Sequence, residues 1–221
     1  MSQSTFRSER APVFKGPTFL MCPPKLYEVD YVINPWMACN VHRASREQAT
    51  AQWEELRNAL ERIAKVLLVE PQPGWPDMVF TANAGLVRDG VVAISRFFHP
   101  ERQGEELHFR KWFDDLGFTV CDTPAFDAES NAKIESRYPY ERRIPVSESD
   151  ALCFACNAIN VSQWILLNQI SSDLSRQLES RGYHVAQLRL TEFLKAGGAA
   201  KCLALRLSNM DATHSSLAAL S

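Results

Sequence analysis

The chain has 221 residues, 46% of them hydrophobic, with 24 basic and 26 acidic side chains and a formal charge of −2. That is enough apolar content for one substantial core, while the near-neutral balance and the lack of a basic stripe argue against a nucleic-acid partner. No apolar run approaches the ~18 residues of a membrane span, and six cysteines spread through a chain too large to need disulfides, with no secretory leader, point to a reducing, cytoplasmic setting.

Residues 1–17 read as a flexible tail and 208–221 as a second one, flanking a single domain over 18–207. Phe19–Met21 is a short strand, and Ser45 caps a helix to about Ala64, with Gln48 completing a capping box. Val66–Glu70 follows as a strand. Met78–Phe80 and Val91–Ser95 read as strands bracketing a turn at Asp89-Gly90, a strong hairpin signal. An amphipathic helix over Glu105–Leu116, stopped by Gly117, leads to a strand at Thr119–Cys121. Ala158–Val161, Trp164–Leu167, a helix over Ser172–Ser180 stopped by Gly182, and Val185–Leu190 repeat the same strand, strand, helix, strand order. Alternation of this kind predicts an α/β fold built from a repeated unit.

The segment Phe193–Leu203 delivers one thiol, Cys202, at the end of a small, sterically open run, Gly197-Gly198-Ala199-Ala200, just before an apolar stretch read as a buried strand, Leu203–Leu205. The glycines let the backbone turn through φ > 0 or let a ligand approach closely. Lys201 beside the sulfur favours the thiolate, the reactive form. The alternative is a small buried hydrophobe, which is what most free cysteines are.

Several motifs in order, Met21-Cys22-Pro23-Pro24, Tyr31–Met37, Trp75–Gly85, Ser95-Arg96-Phe97, Pro100–Glu106 and the Cys202 segment, resemble the guanidino-group-modifying superfamily, and within it the arginine-dihydrolase branch. The resemblance implies a pentein-like α/β propeller of five units around a central site; the units counted here are too few to close that ring. It implies hydrolysis of the guanidino group of arginine or a methylated arginine through a cysteine nucleophile, Cys202, with no metal or organic cofactor. It also assigns substrate-facing roles to Asn34, Asp77, Asn83 and Arg102. A planar cation needs carboxylate and amide oxygens in fork geometry; Asp77 suits that need, and Arg102 suits the α-carboxylate of the substrate. Read locally, Asp77 is equally a cap accepting a backbone N–H, Asn34 and Asn83 are turn asparagines, and Arg102 is a solvated arginine at a helix entry.

The resemblance breaks between Gly117–Val120 and Pro124–Asp127, where the family carries a Phe-Glu-Gly-Ala-Gly-Asp and a Phe-Tyr-His-Leu-Asp motif that this chain lacks. Its histidines, His42, His99, His108, His184 and His214, lie in other contexts. With a junction near residues 122–125 the expectation is impaired turnover, the alternative being a non-catalytic arginine-binding or interaction protein. An opened ring is expected to associate with further copies of itself or to be poorly soluble. Cys153-Phe154-Ala155-Cys156 has redox or zinc spacing but no second pair, and reads as two core cysteines.

Overall fold

The structure is a computed structural model that describes residue 12 and residues 14–122 and 143–208. Residues 1–11, 13 and 209–221 of the expected tails and residues 123–125 of the expected junction lie outside the described residues.

Among the described residues, nine strands form three three-stranded sheets. In the second sheet β3 (Gly85–Arg88) pairs antiparallel with β4 (Val91–Ile94), which pairs parallel with β5 (Thr119–Asp122). In the third, β6 (Ile159–Val161) runs antiparallel to β7 (Trp164–Asn168), which runs parallel to β8 (His184–Leu188). The first sheet repeats the pattern with the chain ends joined. β9 (Leu205–Arg206) is antiparallel to β1 (Thr18–Met21), and β1 is parallel to β2 (Lys65–Leu68). The sequence suggested two units; the third escapes a linear reading because its strands come from opposite ends of the domain.

Each parallel crossover carries a helix, as the geometry of parallel strands requires. These are α1 (Arg46–Glu61) between β1 and β2, α3 (Glu105–Asp115) between β4 and β5, and α5 (Ser172–Ser180) between β7 and β8. The described residues also form short helices α2 (Pro100–Gln103), α4 (Glu148–Leu152) and α6 (Thr191–Leu194). Ser45 caps α1 by accepting from Gln48 N, as its sequence predicts, but the Ser45 N–H goes to Glu192 Oε2 at 2.7 Å, a long-range partner in place of Gln48's own side chain. Helices α3 and α5 end in Schellman geometry: Gly117 and Gly182 hold φ +82° and +86°, and the N–H groups of Phe118 and Tyr183 reach back to Phe113 O and Leu178 O. The hairpin turn at Asp89 and Gly90 has both φ positive, at 50° and 76°, as its type requires.

Two expectations fail here. Met78–Phe80 is not a strand: Pro76 at the first position sets φ for a 3-10 turn over Pro76–Val79, and Phe80 N closes it on Asp77 O at 3.0 Å. Nor does a strand resume at Leu203. Leu203 N and Ala204 N bond back to Ala200 O and Lys201 O, so Cys202 rides a helical turn and β9 begins only at Leu205.

Strand β1 is buried on both faces and divides two cores. Phe19 and Met21 pack with Trp53, Leu56 and Leu60 of α1 and with Phe193 and Leu203; Leu20, pointing the other way, packs with Phe109 and Phe113 of α3 and with Leu205. Fully burying such side chains is worth about 1.5–3 kcal/mol each, so the cradle of the Cys202 turn is anchored on both sides. No described helix is long and apolar enough to cross a membrane.

Candidate active site

The residues singled out from sequence converge. Asn34, Asp77, Asn83, Arg102 and Cys202 line one cavity of about 100 Å³, closed by Met37, Phe80, Ala196, Gly197 and Gly198. Four separate stretches of chain supply them, and the packing of the Cys202 turn explains how.

Gly197 has φ +79°, and a Cβ at Gly198 would stand 2.4 Å from the Phe80 ring, so the two glycines serve different needs, a turn and a close approach. The turn that follows is tied down at two further points. Ala82 N donates to Cys202 O at 3.0 Å, and the Thr81 hydroxyl lies against Leu203 O and Leu20 O at 3.1 and 2.8 Å. The thiol itself is gripped by Asn157, whose Nδ2 donates to Cys202 Sγ at 2.9 Å while its Oδ1 accepts from Cys202 N at 3.1 Å. A sulfur that accepts an N–H bond is held in one rotamer with its lone pairs defined, a useful state for a nucleophile. Lys201, expected beside the sulfur, instead is exposed and lines a separate cavity.

On the opposite wall lies a buried ionic network. Asp77 is 1% exposed; Tyr31 Oη donates to its Oδ2 at 2.9 Å, Arg102 Nε stands 3.9 Å from the same oxygen, and Oδ1 has no hydrogen-bond partner among the described residues. Arg102, 7% exposed, donates through Nε and Nη2 to the two carboxylate oxygens of Glu105 at 2.8 Å each and through Nη2 to Asp77 O at 3.2 Å, with its guanidinium 4.4 Å over the Phe97 ring. Arg102 is therefore neither solvated nor free, and much of its fork is already engaged. Burial raises the Asp77 carboxyl above its ordinary range, against the pull of Arg102 and Tyr31. Burial likewise pushes Glu105 up to about 7, against its bonds to Arg102. A buried Asp with one oxygen unsatisfied is costly and suits a ligand that arrives with N–H donors and positive charge.

Asn34 has both ends of its amide in use: Nδ2 donates to Ala196 O at 3.0 Å and Oδ1 accepts from Met37 N at 3.2 Å. It pins the loop before Met37 to the glycine segment, so its turn role and its place in the cavity coexist. Asn83 is exposed at the rim.

Tyr31, Glu105 and Asn157 were not singled out from sequence. Glu105 stands three residues after Arg102 across adjoining helices, an ion-pair spacing that carries signal; Tyr31 and Asn157 meet their partners across 46 and 45 residues and carry none locally. None of His42, His99, His108 or His184 lines the cavity, and His214 lies outside the described residues. Cys153 and Cys156, expected in the core, are both exposed, because the short helix α4 ends at Leu152 and leaves them on a surface turn. The buried thiol is Cys22, whose pKa burial raises far above the ordinary thiol range, making it inert.

No family model matches the chain. It is 41% identical to the bifunctional arginine dihydrolase/ornithine cyclodeaminase ArgZ of Synechocystis sp. over 263 aligned positions, which take in 86% of this chain and 37% of that protein. The chain thus spans less than two fifths of the length of the curated relatives ArgZ and AgrE. Since 86% of 221 residues is about 190, some 70 of the 263 aligned positions face gaps in this chain. Among solved structures, the N-terminal domain of ArgZ bound to product superposes with a TM-score of 0.83 at 40% identity, covering 87% of this chain and 98% of that one. The same domain with a cysteine replaced by serine, bound to substrate, matches with the same TM-score, identity and coverage.

Proposed function

Because the chain belongs to the guanidino-group-modifying superfamily, we propose that its cavity is an arginine site with Cys202 as nucleophile, and that its turnover is impaired. The convergence of Asn34, Asp77, Asn83, Arg102 and Cys202 on one small cavity supports this reading above all. Asp77 offers its unpartnered Oδ1 to the guanidinium, and Arg102 offers the α-carboxylate what Glu105 leaves of its fork.

The chemistry is covalent. The Cys202 thiolate attacks the guanidinium carbon and forms a C–S bond; a terminal nitrogen takes a proton and departs as ammonia with the electrons of its C–N bond. Water then adds to the same carbon, the C–S bond breaks and the thiol is regenerated; one such round turns arginine into citrulline, and hydrolysis of the remaining C–N bonds gives ornithine, so the product is ornithine or citrulline plus ammonia. Two proton transfers are needed, and a positioned base contributes typically 10²–10⁴-fold to such steps. The described lining of the cavity holds no histidine. We infer that the alignment gap falls at the junction near residues 122–125 and removes both missing motifs, and that the three sheets are sectors of a propeller left incomplete by the same loss. Recognition and nucleophile remain; the proton relay does not.

Two measurements test this. A haloacetamidine, a guanidine-like electrophile, is expected to label Cys202 ahead of the other five cysteines; labelling spread evenly, or missing at Cys202, removes the nucleophile assignment. Release of ammonia, citrulline or ornithine from arginine is expected not to exceed that of Cys202→Ser; turnover well above it overturns the impairment.

A further inference from the structure

Behind the wall that carries the nucleophile lies a larger cavity of about 430 Å³. Phe19, Leu86, Ile159 and Leu205 supply apolar walls, and the two charged side chains that line it are both cations, Lys201 and Arg206. Arg206 is half-buried: its guanidinium lies 5.2 Å over the Phe19 ring and donates to Asn160 O at 2.7 Å. Neither Arg206 nor Lys201 has a carboxylate partner among the described residues. Loss of hydration without a counterion disfavours the charged guanidinium and lowers its pKa. An arginine so placed, beside a second cation and an apolar hollow, gains by acquiring an anion whose carbon chain covers the walls.

The two cavities share their wall residue by residue. Ala82 and Lys201 line the larger one while their neighbours Asn83 and Cys202 line the smaller; Ala158 lines the larger while Asn157 grips the sulfur. The Ala82 N–H to Cys202 O bond of 3.0 Å crosses this wall. We propose that the larger cavity binds a small organic carboxylate with an apolar chain, held by Arg206 and Lys201, and that its occupation changes the reactivity of Cys202.

Hexanoate is the probe, with hexanamide, of the same shape and no charge, as its control, titrated calorimetrically into the full chain. Hexanoate is expected to bind at least tenfold more tightly than hexanamide, and the double variant Lys201→Gln/Arg206→Gln to lose at least tenfold of that affinity. Saturating hexanoate is expected to change the alkylation rate of Cys202 at least threefold, since Ala82, Ala158 and Lys201, which line its cavity, adjoin Asn83, Asn157 and Cys202 in the shared wall; hexanamide is not. Equal binding of the two probes overturns the proposal, and needs no variant to fold. So does hexanoate binding that survives in the double variant but is lost in Arg102→Gln, which would place it in the arginine site. An alkylation rate unmoved by saturating hexanoate overturns the coupling.

Discussion

Glu105→Gln tests whether burial or the ion pair governs the network behind Asp77. Glu105 is 0% exposed and takes two 2.8 Å bonds from Arg102, yet its carboxyl is raised from an ordinary 4.5 to about 7 because loss of hydration outweighs them. A protonated Glu105 offers Arg102 one carbonyl acceptor and presents an O–H where glutamine presents an NH₂, so below its raised titration the two side chains serve Arg102 alike. At pH 5, where the folded wild-type carboxyl is neutral, the two proteins are expected to melt within about 2 °C of each other, a difference under about 1 kcal/mol for a chain of this size. As pH rises, the unfolded wild type releases its proton first. The folded state then binds more protons than the unfolded, so wild-type stability drops between about 4.5 and 7. From pH 5 to 8.5 that amounts to about 2–3 kcal/mol, and glutamine does not share it. Thermal unfolding followed by circular dichroism, under reductant at both pH values, should therefore show Glu105→Gln melting about 4–12 °C above the wild type at pH 8.5. A wild type that gains on the variant as pH rises would refute the reasoning, for it would mean that Arg102 holds Glu105 ionised in the fold.

Asp77→Asn keeps shape but replaces a carboxylate oxygen that has no partner, so calorimetric arginine affinity is expected to drop at least tenfold, about 1.4 kcal/mol; equal binding by both forms would show that Asp77 does not face the guanidinium. Asn157→Ala removes both bonds to Cys202 and is expected to slow haloacetamidine labelling of that thiol about tenfold, on the scale of one lost hydrogen bond, while labelling of the exposed Cys39 stays unchanged; equal slowing at both would mark general unfolding. Leu86 and Phe98 are 69% and 89% exposed, and light scattering of the purified chain is expected to report oligomers; a monodisperse monomer at high concentration would count against an opened propeller.

Much of the site was legible because its chemistry is written locally. Gly197-Gly198 before Cys202 marks a backbone that must turn and approach closely, and the helix stops at Gly117 and Gly182 and the Asp89-Gly90 turn follow from φ preferences that no packing overrides. Pro76 shows the limit of pattern reading: Met78-Val79-Phe80 has strand composition, but the proline two residues earlier fixes a 3-10 turn, and that turn brings Asp77 into the cavity. What the sequence by itself determined was the family and the five residues, Asn34, Asp77, Asn83, Arg102 and Cys202, that share one cavity and are proposed for an arginine site. Only the tertiary structure decided that β9 and β1 join the chain ends into a third unit, that Arg102 is held by Glu105, that Asn157 grips the sulfur and that Lys201 faces another cavity. Each of those contacts depends on burial or on partners far along the chain, and both are properties of packing that local spacing does not encode.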